Sequence, residues 1–310
     1  MKKTTFILLL LWGFSFSLMA QVTDAEKDLR TLTKDTVSGW KTGGVFAITG
    51  SQTSLFNWAA GGENSVSLNG LLSLFANYKK GKGAWDNSLD IGYGMMKQGF
   101  DKEVPFTKTD DKIDLLSKYG YRAFRSWYYA ALFNFKTQMT PGYAKPGDEK
   151  KISDFFAPAY TILALGMDYK PNSYFSAFIA PVTAKWTFVM DDELSAMGAF
   201  GVEKGQNVKN EFGGYVRVIF SKNDFKSAFL RNISFTTKID LYSNYLKEPE
   251  KIDVNWETLI AMKVNKYITI NLTTHLIYDY DTKFESEFNP EGVDKVQFKE
   301  IFGVGFSYKF

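Results

Sequence analysis

The last fourteen residues alternate in character with almost unbroken parity. Phe298, Phe302, Val304, Phe306, Tyr308 and Phe310 fill the even positions, interrupted only by Glu300. Gln297, Lys299, Gly303, Gly305, Ser307 and Lys309 fill the odd ones, interrupted only by Ile301. A period of two held this long specifies a β-strand with one apolar and one polar face. Its length exceeds the ~5–6 residues of an ordinary globular strand.

The same rule governs the segments before it. Ile268, Ile270, Leu272, Leu276 and Tyr278 alternate with Thr269, Asn271, Thr273, His275 and Asp279. Val254, Trp256, Ile260 and Met262 alternate with Asp253, Asn255, Glu257 and Lys263, and Ile233, Phe235 and Ile239 with Ser234, Lys238 and Asp240. In the N-terminal half Leu89, Ile91 and Tyr93 alternate with Asp90 and Gly92. Parity flips between Phe175, Ala177, Ile179 and Val182, Ala184, Trp186. A β-bulge at Ala180-Pro181 restores both faces, and proline is tolerated at bulges.

Twelve strands follow, near 40–50, 65–79, 84–97, 112–124, 127–139, 158–170, 173–188, 209–221, 230–246, 251–264, 266–280 and 296–310. Most reach the ~9–11 residues that a tilted membrane-spanning strand needs. The expected links alternate in length. Residues 80–83, 125–126, 171–172, 222–229 and 265 are short. Residues 51–64, 98–111, 140–157, 189–208 and 281–295 are long, with 247–250 the exception. Short turns on one side and long loops on the other mark an outer-membrane barrel. The expected fold class is therefore all-β: a transmembrane, antiparallel, up-and-down β-barrel of about twelve strands, with ten or fourteen as alternatives.

Composition agrees. The 310 residues contain no Cys, so disulfides, thiol catalysis and cysteine metal sites are excluded. Aromatics are 17% of the chain, as the interfacial girdles of membrane barrels require. Lys2 and Lys3 precede the apolar run Phe6–Leu11, and Leu18-Met19-Ala20 ends on a small residue. Residues 1–20 read as a cleaved signal peptide, 21–38 as a short periplasmic tail and 39–310 as the barrel. Removing the two lysines takes the net charge from +3 to +1, which gives no support for a nucleic-acid partner. The expected location is the outer membrane of a Gram-negative cell. Phe306, Tyr308 and Phe310 form the terminal signal for barrel-assembly machinery, reached with periplasmic chaperones; outer-membrane lipid is the other expected partner.

Residues 54–67, containing Asn57-Trp58-Ala59-Ala60-Gly61-Gly62-Glu63-Asn64, carry a resemblance, supported by Trp40-Lys-Thr-Gly-Gly44, Trp85-Asp-Asn-Ser-Leu-Asp90, Gly92-Tyr-Gly94 and Lys108-Thr-Asp-Asp-Lys112. The chain resembles a family of Bacteroidota outer-membrane proteins catalogued as a domain of unknown function. The resemblance implies an outer-membrane barrel and brings no reaction, ligand or catalytic residue.

Parity assigns Asp90, Lys112, Asp114, Lys118, Arg122, Lys136, Asp168, Arg217, Lys238, Asp240, Asp253, Glu257, Lys263 and His275 to the lumen. Charges of both signs there need water or each other. They line a narrow pore or interlock and fill it; twelve strands lie between the ~8 that enclose only side chains and the ~16–18 that leave a channel. A largely occluded lumen is the favoured expectation. Lumenal Tyr128, Tyr160, Tyr215 and Tyr242 fill space or offer a ligand platform. Phe56, Trp58, Gly61, Gly62 and Glu63 belong to a loop suited to plugging the mouth or anchoring at the interface. A short helix capped by Asp191 or Asp192 is expected in loop 189–208.

His275, the only histidine, is the one candidate for Ser-His lipid chemistry, but it faces inward and no adjacent-strand serine is evident. No catalytic residue, cofactor or metal is therefore expected. Asp110-Asp111 and Asp279/Asp281 lack the spaced oxygen ligands of a calcium loop. Three functions remain: passage or binding of a small solute, a non-conducting structural or complex-forming barrel, and a lipid-modifying barrel enzyme.

Overall fold

A computed structural model describes residues 38–309 except 56–62, 100–104, 145, 223–224, 266–267, 282 and 287–288. The expected signal peptide, the expected tail through residue 37, Phe56, Trp58, Gly61, Gly62 and Phe310 lie outside the described residues.

The strands are β1 (Gly39–Thr53), β2 (Ser65–Lys80), β3 (Gly83–Gln98), β4 (Thr107–Phe124), β5 (Trp127–Thr137), β6 (Gly142–Tyr143), β7 (Lys151–Ser153), β8 (Ala159–Tyr169), β9 (Phe175–Phe188), β10 (Val208–Lys222), β11 (Ile233–Asn244), β12 (Ile252–Lys263), β13 (Ile268–Tyr278), β14 (Lys283–Ser286), β15 (Asn289–Asp294) and β16 (Gln297–Lys309). Twelve of them close into one antiparallel barrel, each beside its neighbour in the chain, with β1 meeting β16. The remaining four form two hairpins, β6–β7 and β14–β15, inside long connections. The expected strand number and fold class are therefore observed. Among the described residues no helix is long and apolar enough to cross a membrane.

Alternation sets the two faces. On β1 the inward Val45 and Ala47 are buried while the alternate Phe46 and Ile48 are exposed. On β16 Phe298, Phe302, Val304 and Phe306 are all exposed. The barrel thus turns its large apolar side chains outward and keeps its charges inside, the reverse of a water-soluble protein. At the short-turn end the aromatics touch along the rim: Trp40 with Tyr78 and Trp85, Trp127 with Phe124 and Tyr169, Phe220 with Tyr174 and Phe235.

The expected bulge is present. Leu165 pairs with Val182 and Met167 with Ile179, so Ala180 and Pro181 together face Gly166. The same extra residue shifts the register against β10 between Gly213 and Tyr215. A side chain on Gly166 would strike the Ile179 carbonyl, which explains glycine there.

Three expectations need correction. Asp110 and Asp111 lie within β4 rather than in a loop, because Asp111 accepts the Met139 and Thr140 amides and ties β4 to the β5 exit. Loops 140–157 and 281–295, expected only as loops, carry the two hairpins. The link after β10 runs to Ile233 rather than to residue 230. In loop 189–208 the helix forms as Asp192–Met197 (α1), with Asp191 as N-cap and Gly198 closing its C-terminus at φ 73°.

Candidate functional site

Among the described residues the lumen gathers the buried charged side chains, and its charges pair in three tiers. At the short-turn end Lys118 lies 2.5 Å from Asp168, which also accepts from Ser176 and lies 3.3 Å from Lys170. Lys170 reaches Asp86 of β3 at 3.0 Å. Arg122 donates to Tyr128 near this rim.

The middle tier crosses the barrel. Lys112 of β4 lies 3.9 Å from Glu257 of β12. These strands are six places apart in the twelve-strand ring, whichever way it is counted. Lys238 of β11 lies 3.1 Å from Glu257 and 3.8 Å from Asp114 of β4. Lys136 of β5 lies 3.7 Å from Asp114 and 3.8 Å from Asp240 of β11. Arg217 and the Tyr215 hydroxyl both engage Asp240, at 3.3 and 2.7 Å. Contacts between opposite walls mean that side chains meet across the lumen at this height.

The long-loop tier is more acidic. Lys185 bonds Asp253 at 2.9 Å and lies 3.6 Å from Glu211; Lys209 engages Glu211 and Asp281. Single carboxylate oxygens of Asp253, Asp279 and Asp281 all lie within 4.8 Å of one another. Asp279, on the loop just after β13, has its carboxyl pushed above the ordinary range by burial, with Asp253 and Asp281 adding to the effect. Lys185 and Lys209 already supply cations to this cluster. Opposite, Lys299 donates to Asp110 at 2.6 Å.

Two cavities, each of about 120 Å³, flank the middle tier. One opens toward the long loops and is lined by Tyr160, Tyr215, Tyr242, Lys185 and Asp253. Tyr242 is 5% exposed and its hydroxyl has no hydrogen-bond partner among the described residues. Three of the four lumenal tyrosines thus share one cavity; Tyr128 sits at the other end of the barrel, under the Lys170 ammonium. The other cavity lies behind β1 and β16.

Ser73 donates to Asp90 on the inner face. Lys263 shares the inward parity of Glu257 and of the fully buried Ala261. His275 Nε2 sits 2.9 Å from Asn255 Oδ1 and 4.0 Å from Glu257, with no serine among its described hydrogen-bond partners. Its ring belongs to the polar network. Glu63 is exposed and Phe306 faces outward, while the side chain of Tyr308 is outside the described set. Lys185, Glu211, Lys209, Lys299, Lys170 and Asp86 were not among the sequence candidates. Parity marks Lys185 and Lys299 as inward; only the closed ring reveals which charge each one meets.

Residues 50–143 match the model of a family described as a protein of unknown function, DUF3078. No curated protein matches the chain. Among solved structures it is similar to an outer-membrane channel from Pseudomonas putida F1, with a TM-score of 0.40, 10% identity, and 89% of this chain and 97% of that one covered. It is similar to the NanC porin, with a TM-score of 0.38, 9% identity and coverage of 86% and 100%. It is also similar to outer-membrane phospholipase A from Escherichia coli, with a TM-score of 0.35, 11% identity and coverage of 88% and 98%.

Proposed function

We propose that the protein is an outer-membrane barrel whose lumen is closed at mid-height, so that it does not conduct ions at rest. The apolar exterior, the aromatic rim at the short-turn end and the longest connections, those between β5 and β8 and between β9 and β10, at the other end support the membrane placement. The observation that carries the closed state is the Lys112–Glu257 contact between opposite walls. An open porin keeps such walls apart with water between them. No enzymatic role is proposed: His275 is held by Asn255 and Glu257 inside the lumen, away from lipid.

Planar-bilayer recording tests this reading. The folded wild-type protein is expected to be silent. Removing Lys112, Lys238 and Glu257 together, each replaced by alanine, is expected to produce steps that scale with salt. Steady wild-type openings at neutral pH would sink the closed-lumen reading.

A second reading, a seat for a small polar solute in the outward half, is favoured by the buried and unpartnered Tyr242 hydroxyl. A buried hydroxyl left without a partner costs ~1–3 kcal/mol, which a bound solute would recover. Under this reading Tyr242→Phe weakens solute capture and leaves the lumen closed.

A further inference from the structure

The seam that closes the barrel is incomplete toward the long loops. β1 pairs with β2 over its whole length, from Gly39↔Lys79 to Thr53↔Ser65. β16 pairs with β13 from Ile277↔Gln297 to Ile268↔Phe306. Between β1 and β16, however, pairing runs only from Val45↔Lys309 to Gly50↔Val304. Continuing that register would set Gln52 opposite Phe302. Residues 299–303 of β16, whose counterparts in that register are the described residues 51–55, have no partner on β1.

An unpaired strand edge is costly in hydrocarbon, where no water is present to bond its N–H and C=O groups. Yet this edge lies between residues that face lipid: Phe298 is 61% and Phe302 63% exposed. The gap also leads somewhere. The cavity behind the seam is lined by Ala47 and Thr49 of the paired part of β1 and by Ile301 and Gly303 of the unpaired part of β16, with Leu71 and Leu259 alongside. Its lining near the seam mixes Ala47, Leu71 and Ile301 with the polar Thr49 and Thr273, and its far side is charged, where Lys112 and Glu257 lie. Asn271 also lines it, and its side-chain oxygen is buried without a hydrogen-bond partner.

We infer that the loop-side half of the β1–β16 seam is a lateral portal, and that the cavity behind it seats the head of a single-chain amphiphile drawn from the membrane. The tail lies in the gap between β1 and β16 and remains in lipid. The head enters the lumen, where Asn271 accepts from it and Lys112 donates to it. A head bearing hydroxyl groups meets both demands. The cavity, about 120 Å³, has room for such a head but not for a two-chain lipid. The inference rests on the membrane placement proposed above and is independent of whether the lumen conducts.

The test uses the full barrel in phosphatidylcholine vesicles with a monoacylglycerol carrying a diazirine on its first methylene groups. Adducts are mapped by peptide mass spectrometry. The expected result is labelling of Leu71, Leu259 and Ile301 inside the lumen as well as of the lipid-facing Phe298 and Phe302. A Gln52→Cys, Phe302→Cys pair then closes the seam; the chain has no other cysteine to interfere. Oxidation is expected to abolish the lumenal adducts, and reduction to restore them. Asn271→Leu is expected to lose them with the seam open. Labelling of the outer belt alone overturns the portal. Lumenal labelling that survives the disulfide overturns the lateral route, and labelling that survives Asn271→Leu overturns the assignment of the head. Absence of adducts at belt and lumen alike overturns the membrane placement, and the portal with it.

Discussion

Lys118 of β4 reaches past β5 to place its ammonium 2.5 Å from Asp168 of β8, with the Phe178 ring 5.9 Å away. Both side chains are almost fully buried, at 5% and 1% exposure. Removing one member of such a pair leaves the other charged and desolvated, at a cost of roughly 3–5 kcal/mol. Lys118→Ala is expected to fall at or below the lower end of that range, because Lys170 still lies 3.3 Å from Asp168. Combining it with Lys170→Ala should cost more than the two changes taken separately. Urea unfolding in detergent micelles measures both, and strict additivity would argue against a shared role.

The bulge at Ala180-Pro181 offers a second test. Gly166→Ala directs a methyl into the Ile179 carbonyl and the Ala180 Cα, so the backbone at the bulge must shift to admit it. Overpacking of this kind costs ~1–3 kcal/mol. A loss of folded yield is expected, whereas alanine at Gly70, whose nearest neighbour would be a carbonyl 3.9 Å away, should be tolerated. Heat-modifiable mobility on gels distinguishes the two.

Acid should loosen the loop that follows β9. Asp191 caps α1 and is bonded to Lys151, and that bond, with the Leu194 amide, holds its carboxyl below the ordinary 3.8. A carboxyl with a depressed value in the folded state contributes fully above pH 3.8 and loses its contribution as pH falls through the lowered value. Amide exchange at Leu194 should therefore accelerate only in strong acid. Asp191→Ala, which removes the cap, should cost ~1 kcal/mol of helix stability and accelerate exchange at neutral pH. An unchanged exchange rate in the variant would count against the cap.

Asp279 has the opposite sign. Its carboxyl is raised, so the folded state binds that proton more tightly than the unfolded chain, and stability falls as pH climbs through the interval. Asp279→Asn keeps an oxygen for the Asp281 amide and removes the charge. The variant should be more stable than wild type at neutral pH, with the gain vanishing below pH 3.8, where the carboxyl is neutral in both states. Thermal melts at the two pH values decide; a variant less stable at neutral pH would refute the sign.

The strands were legible because each is long enough for parity to repeat several times, and even the bulge announced itself as a reversal at Ala180-Pro181. The ends were less so. Asp110 and Asp111 look like loop residues by composition, and only the Met139 and Thr140 amides and the Lys299 ammonium explain them in a strand. The inward set followed from the same parity, but its pairing did not. Nothing local links Lys112 to Glu257 or Lys185 to Asp253, since these partners are set by barrel closure. The incomplete β1–β16 seam was invisible for the same reason: it is a property of two chain ends meeting.

That closure bears on assembly. Asp114 and Lys136 are delivered by β4 and β5, but their counter-ions Lys238 and Asp240 arrive only with β11, and Glu257 with β12. A sheet of the first strands alone would hold only the 3.7 Å Asp114–Lys136 pair, without Lys238 and Asp240 to complete it, and would shed its water to enter lipid at a higher cost. The interior charges therefore act as a proofreading device, penalising a partial sheet and releasing the penalty when the last third of the chain comes round to complete the ring.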